Sequence, residues 1–190
     1  SKQVVEFSTA SASGSGRLGA PVPYTTGISP SDVALGDVTG DNLPDLVTAD
    51  LGSDQVGIRP GRADGSFGAR SSVSLGPAPA TLYLADFNND GRLDILVTHA
   101  VLSGGISVAL ATAGGGFAPR TSYSTSAPAQ SGTVGDFNGD GYLDIAAVNT
   151  GDNNSSGSSV NVYLNDGTGA FLSRQTYSTG SRPSGVAAGD

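Results

Sequence analysis

An all-β fold of tandem four-stranded units, each about 50 residues long, is predicted by three observations. The 190 residues hold 29 Gly and 10 Pro but a single Glu, Glu6, a composition for turns and strands rather than helices. No window sustains a 3.6-residue apolar period. The acidic stretch "GDFNGDGYLDIAAVN" (135–149) also recurs, as "GDVTGDNLPDLVTAD" (36–50) and "ADFNNDGRLDILVTHA" (85–100), so the chain is internally repetitive.

The register of the repeat is tight. Its leading aspartates are Asp37, Asp86 and Asp136, with Asp190 in fourth place, at spacings of 49, 50 and 54 residues. Nineteen residues before each stands Leu18, Phe67, Phe117 or Phe171, and six residues later Tyr24, Val73, Tyr123 or Tyr177. Six more bring Pro30, Pro79, Ala129 (with Pro128 one place early) and Pro183. These landmarks read as packing and turn residues. Length varies only in the other arm, where "SGG" (103–105) and "TGDNNSSGSS" (150–159) read as loops.

Each unit divides into four strands. The first is "DVALG" (32–36), "LYLA" (82–85), "TVG" (133–135) and "GVAAG" (185–189). The second is "DLVTA" (45–49), "DILVTHA" (94–100) and "DIAAVN" (144–149). The third alternates apolar residues, Val56 and Ile58, then Ile106, Val108 and Leu110, then Val160, Val162 and Leu164. The fourth lies between each Phe and Tyr landmark. Four strands per 50 residues in tandem is the pattern of β-propeller blades, which bury their faces by stacking on one another. The boundaries follow: 1–32 closes one blade, 33–81, 82–131 and 132–185 are whole blades, and 186–190 opens another. Nearly four blades fit part of a larger array, or a subunit completed by neighbouring copies or another chain.

A net charge of −8 and a pI near 4.3 argue against nucleic acid and anionic membranes, which require clustered Lys and Arg. No apolar run is long enough to span a bilayer, and no leader pattern stands at Ser1. The absence of Cys excludes thiolate metal sites, disulfides and a cysteine nucleophile.

The aspartates supply the chemistry. Counted from the leading residue, position 1 is Asp37, Asp86 or Asp136, and position 3 is Thr39, Asn88 or Asn138. Position 5 is Asp41, Asp90 or Asp140, and position 9 is Asp45, Asp94 or Asp144. Oxygen ligands at 1, 3 and 5, a carbonyl at 7 and a turn-forming residue at 6 (Asn42, Gly91, Gly141) are what a Ca²⁺ loop needs. Alternate side chains of a tight loop can aim at one ion. It is no EF-hand, since position 12 is Thr48, Val97 or Ala147, and the last carboxylate has moved to position 9. Carboxylates about 5 Å apart repel by roughly 1 kcal/mol per pair in water and by more near protein. Nine of the 17 acidic residues sit in these loops. Hard oxygens without His or Cys select Ca²⁺. The competing reading is three Asx turns that cap strands with no ion.

The "DxNxDGxxD" loop in a 50-residue four-strand period, with "FGA" (67–69), "FAP" (117–119) and "LGAP" (18–21), resembles the FG-GAP repeats of integrin-α or VCBS type. The resemblance implies a ring, most often of seven blades, with Ca²⁺ in the loops of one face and other ligands on other loops. It implies about three Ca²⁺ sites, with Leu43, Arg92 and Tyr142 giving carbonyls. Thr39 and Asn42-Leu43-Pro44 depart from the pattern, so the first site is expected to be the weakest.

No catalytic set is expected. His99 is the only histidine and has no partner nearby in sequence, which suggests a surface or strand-end role. Asn153 and Asn154 match the glycosylation pattern. The resemblance implies a secreted or cell-surface module that binds protein or carbohydrate. A subunit of an extracellular fibre or adhesin is the alternative, and a propeller polysaccharide lyase the third.

Overall fold

The computed structural model describes residues 5–7, 20–101, 105–150 and 158–189. Leu18, most of the two insertions with Asn153 and Asn154, and Asp190 lie outside the described residues. The chain is all-β, with one 3₁₀ turn (Leu51–Ser53) among them.

A pair β1 (Val5–Phe7) and β2 (Val22–Tyr24) comes first. A first sheet follows, of β3 (Pro30–Gly36), β4 (Asp45–Asp50), β5 (Gln55–Arg59) and β6 (Ser71–Val73). The second holds β7 (Pro79–Ala85), β8 (Asp94–His99) and β9 (Ile106–Ala109). A small hairpin, β10 (Ala111–Thr112) and β11 (Gly116–Phe117), then leads to its last strand, β12 (Thr121–Tyr123). The third holds β13 (Ala129–Gly135), β14 (Asp144–Thr150), β15 (Ser158–Tyr163) and β16 (Gln175–Ser178). All three are antiparallel meanders with strands in chain order. No described helix is long and apolar enough to cross a membrane.

The central strands explain the apolar runs of the sequence. Alternate side chains of a strand point to opposite faces, so a strand covered on both faces must be apolar throughout. Val47, Ala49, Val56 and Ile58 of the first sheet pack on Leu82, Ile95, Val97 and Ala109 of the second. Ala85, Leu96, Ile106 and Val108 of the second pack on Ala129, Ile145, Ala147 and Tyr163 of the third. The sheets therefore stack, and β8 is buried on both faces. Each such Val, Leu or Ile contributes about 1.5–3 kcal/mol of transfer free energy.

The first strands β3, β7 and β13 stand side by side and are tied together. The Ser31 hydroxyl donates to the Pro79 carbonyl at 2.8 Å, and the Leu82 amide donates to Asp32 at 2.9 Å. The Tyr83 hydroxyl donates to the Gly132 carbonyl. The aromatic landmarks also bridge sheets. Phe67 meets Tyr24 edge-on at 5.2 Å and Phe171 meets Tyr123 at 5.5 Å, each Phe amide donating to the Tyr hydroxyl at 3.1 Å.

Three expectations need correction. The first strands begin earlier than expected, at Pro30, Pro79 and Ala129, with a register shift one to three residues in. Proline is tolerated as the first residue of a strand, so these residues start ladders rather than precede them. The fourth strands occupy only three or four residues at the Tyr end. Residues 185–189 form no strand, but Ala188 lies against β13, 3.3 Å from where a Cβ on Gly135 would stand.

Candidate metal centre

Each acidic loop joins the first strand of a sheet to the second, and the three have nearly the same internal geometry. Position 6 is left-handed in all, with φ of 65° at Asn42, 83° at Gly91 and 86° at Gly141. Position 4 is left-handed too, at Gly40, Asn89 and Gly139. Two such residues fold the loop back on itself and turn its amides inward.

The position 1 carboxylates receive those amides. Asp37 accepts from Gly40, Asp41 and Asn42 at 2.7–3.1 Å. Asp86 accepts from Asp90 and Gly91, and Asp136 from Gly139, Asp140 and Gly141. The amide of Gly141 is the largest influence holding Asp136 below its ordinary pKa. Position 5 accepts from the residue two places on, Leu43, Arg92 or Tyr142. Asn88 and Asn138 each donate to the position 5 carboxylate at 2.8 Å. In the second loop the Arg92 guanidinium also pairs with Asp90.

The position 9 carboxylates are fully buried at the base of the loops. Asp45 accepts from the Val38 and Thr39 amides at 2.9 Å and from Gly61 at 2.8 Å. Asp94 accepts from Phe87 and Ala111, and Asp144 from Phe137 and Asn165. Each thus fastens its own loop to the turn after the third strand. Burial raises the Asp94 pKa, although the Ala111 and Phe87 amides oppose the shift.

Positions 1, 3 and 5 form the outer, half-buried or exposed part of each loop, while position 9 is buried with its oxygens on amides. Among the described residues no three acidic or histidine side chains converge as a metal-binding group. The donors are nonetheless all oxygen, and the buried Thr39 hydroxyl of the first loop lacks a hydrogen-bond partner. An oxygen-seeking cation fits that position. Beside it, between the first two loops and the β10–β11 hairpin, is a cleft of about 330 Å³ lined by Asp37, Thr39, Arg92 and Thr112.

Sequence reasoning missed a second set of polar residues. At position 14 the second strands carry Asp50, His99 and Asn149, all fully buried. Asp50 accepts from Arg70 at 2.6 Å. Asn149 donates to Asn161 at 2.7 Å, and Asn161 donates to Thr176. His99 is not at the surface. Its Nδ1 lies 2.7 Å from the Pro77 carbonyl and its Nε2 2.9 Å from the Ser107 hydroxyl. The shared register was the available signal, and the differing chemistry hid it.

Ser107 is nearly as buried as His99, so the pair is closed to solvent. Burial lowers the His99 pKa, the Pro77 contact opposes it, and Arg120 and Asp54 act in opposite directions. The unfolded imidazole takes its proton near pH 6.5, before the folded one does. Stability is therefore full above that pH and declines as pH falls toward the folded value. His99→Gln is expected to flatten the fall in melting temperature between neutral pH and about pH 5. An unchanged slope would show that His99 is not its source.

No curated protein matches the chain. Among solved structures it is similar to the V. cholerae biofilm matrix protein Bap1, with 17% identity and a TM-score of 0.40 over 82% of this chain. It spans 29% of that protein's length, and a likeness of this degree says nothing about function. The FG-GAP-like repeat model matches residues 37–97 and 136–190, two segments that together hold all three acidic loops. The chain belongs to the FG-GAP-like repeat family.

Proposed function

We infer that the chain is a Ca²⁺-binding β-propeller segment of a secreted or cell-surface protein, and that it recognises protein or carbohydrate. The observation that carries this reading is the outer part of the loop, repeated three times in register, with carboxylates at positions 1 and 5 and an oxygen-bearing side chain at 3. Ca²⁺ would be held by Asp37, Thr39, Asp41 and Asp45 in the first loop. Asp86, Asn88, Asp90 and Asp94 would hold it in the second, and Asp136, Asn138, Asp140 and Asp144 in the third. The carbonyls of Leu43, Arg92 and Tyr142 complete the three sets. Bound Ca²⁺ supplies charge neutralisation and stiffens the loops; it activates nothing. Arg92 already offsets part of the charge in the second loop. The third loop, like the first, has no basic residue of its own, and unlike the first it keeps Asn at position 3 and Gly at position 6. It is therefore assigned the tightest site.

Extracellular sites of this kind bind at about 10⁻⁴–10⁻³ M, so millimolar external calcium fills them and the cytosol does not. Binding is favoured over catalysis because carboxylates that ligate a cation are not free to shuttle protons and the single histidine is buried. EDTA is expected to lower the melting temperature, and calorimetric titration with Ca²⁺ to show about three sites in that range. Asp140→Ala is expected to reduce the calcium-dependent gain more than Asp41→Ala does. A melting temperature indifferent to EDTA, with no heat of binding, would sink the reading. Selective binding on a glycan array would separate carbohydrate recognition from protein recognition.

A further inference from the structure

The second and third acidic loops share a buried connector that the first and second do not. Asn165, 2% exposed, stands in the turn after β15. Its Nδ2 donates to the Phe87 carbonyl at 2.7 Å and to the Leu143 carbonyl at 3.1 Å. Phe87 is position 2 of the second loop and Leu143 is position 8 of the third. Its Oδ1 accepts from the amides of Gly167 at 3.0 Å and Gly169 at 3.3 Å, and its own amide donates to Asp144 at 2.8 Å. Both side-chain N–H groups and both oxygen lone pairs are used, and two carbonyls with two amides fix the orientation of the carboxamide. The turn that it shapes also lies on the second loop, because a Cβ on Gly169 would stand 3.4 Å from that of Asn88.

The junction between the first and second loops follows the same plan without the connector. Ala111 takes the place of Asn165, since its amide donates to Asp94 at 2.7 Å as that of Asn165 does to Asp144. A methyl group can donate to no carbonyl. Here the cleft of about 330 Å³ opens, with Val38 and Ala111 in its wall.

We propose that Asn165 is a positioning residue that couples calcium binding in the second loop to calcium binding in the third, while the first loop binds independently. The proposal rests on the calcium reading of the loops. A cation that orders one loop steadies a carbonyl held by Asn165. The buried carboxamide passes that order to the other loop, which then has less freedom to lose when it binds. The coupling is reciprocal.

The amide resonances of Asn42, Gly91 and Gly141, followed by nuclear magnetic resonance during Ca²⁺ titration, report the three loops separately, because each amide sits on the position 1 carboxylate of its own loop. Asp140→Ala, which disables the third loop, is expected to weaken binding at the second by at least about fivefold and to leave the first unchanged. In Asn165→Ala the second loop is expected to ignore Asp140→Ala. A merely structural Asn165 would lower the melting temperature in EDTA and leave that dependence in place. Ala111→Asn is expected to create the link at the other junction, so that Asp41→Ala weakens the second loop in that background and not in the wild type. A second loop indifferent to Asp140→Ala overturns the proposal, as does a dependence that survives Asn165→Ala. If Asn165→Ala does not fold, Ala111→Asn decides, and a second loop still blind to Asp41→Ala overturns it. Three loops that bind calcium with independent midpoints overturn the coupling alone, whereas no shift at any loop overturns the calcium reading as well.

Discussion

Phe87→Ala is expected to destabilise the chain by about 3–5 kcal/mol, whereas Phe137→Ala, one repeat later at the same position, is expected to lose less than about 1 kcal/mol. Phe87 is among the largest fully buried side chains and meets the Phe171 ring edge-on at 5.6 Å. Its removal takes away the transfer free energy and leaves a cavity between two sheets that cannot collapse onto each other. Phe137 occupies the same place on a sheet whose outer face is open, so water fills the space it leaves. Urea unfolding of the two variants at low protein concentration reads the difference. Equal losses would mean that the third sheet's face is covered as well.

Asp45→Ala is expected to cost roughly 3–5 kcal/mol even in EDTA, because three amides lose their acceptor away from water. The carboxylate is fully buried and bonds Val38, Thr39 and Gly61. Asp45→Asn keeps one acceptor oxygen and is expected to cost less, about 1–2 kcal/mol. Ca²⁺ titration of Asp45→Asn, alongside unfolding in EDTA, separates the structural part of the residue from any part in ion binding. A loss in Asp45→Ala seen only when calcium is present would reverse this account.

The repeat, the second and third strands of each sheet and the loop turns were legible because they are local. Apolar alternation in Val56 and Ile58, and left-handed residues at Asn42, Gly91 and Gly141, follow from neighbours a few positions away. What sequence could not show depends on distant partners. Position 9 read only as a cation ligand; that Asp45 also accepts from Gly61 and Asp144 from Asn165 is something no local motif reveals. His99 looked isolated because Ser107 and the Pro77 carbonyl reach it only once β9 and the turn before β7 are folded.

Similar strands in one chain run the hazard of pairing with the wrong repeat during folding. The residues at position 14 guard against it, since a carboxylate, an imidazole and an amide each demand different company in a dry setting. An exchange would set Asp50 against a carbonyl, or strand Arg70 without its anion. Which strands share a sheet is thus written in three unlike polar groups, while the hydrocarbon around them supplies cohesion to any pairing alike.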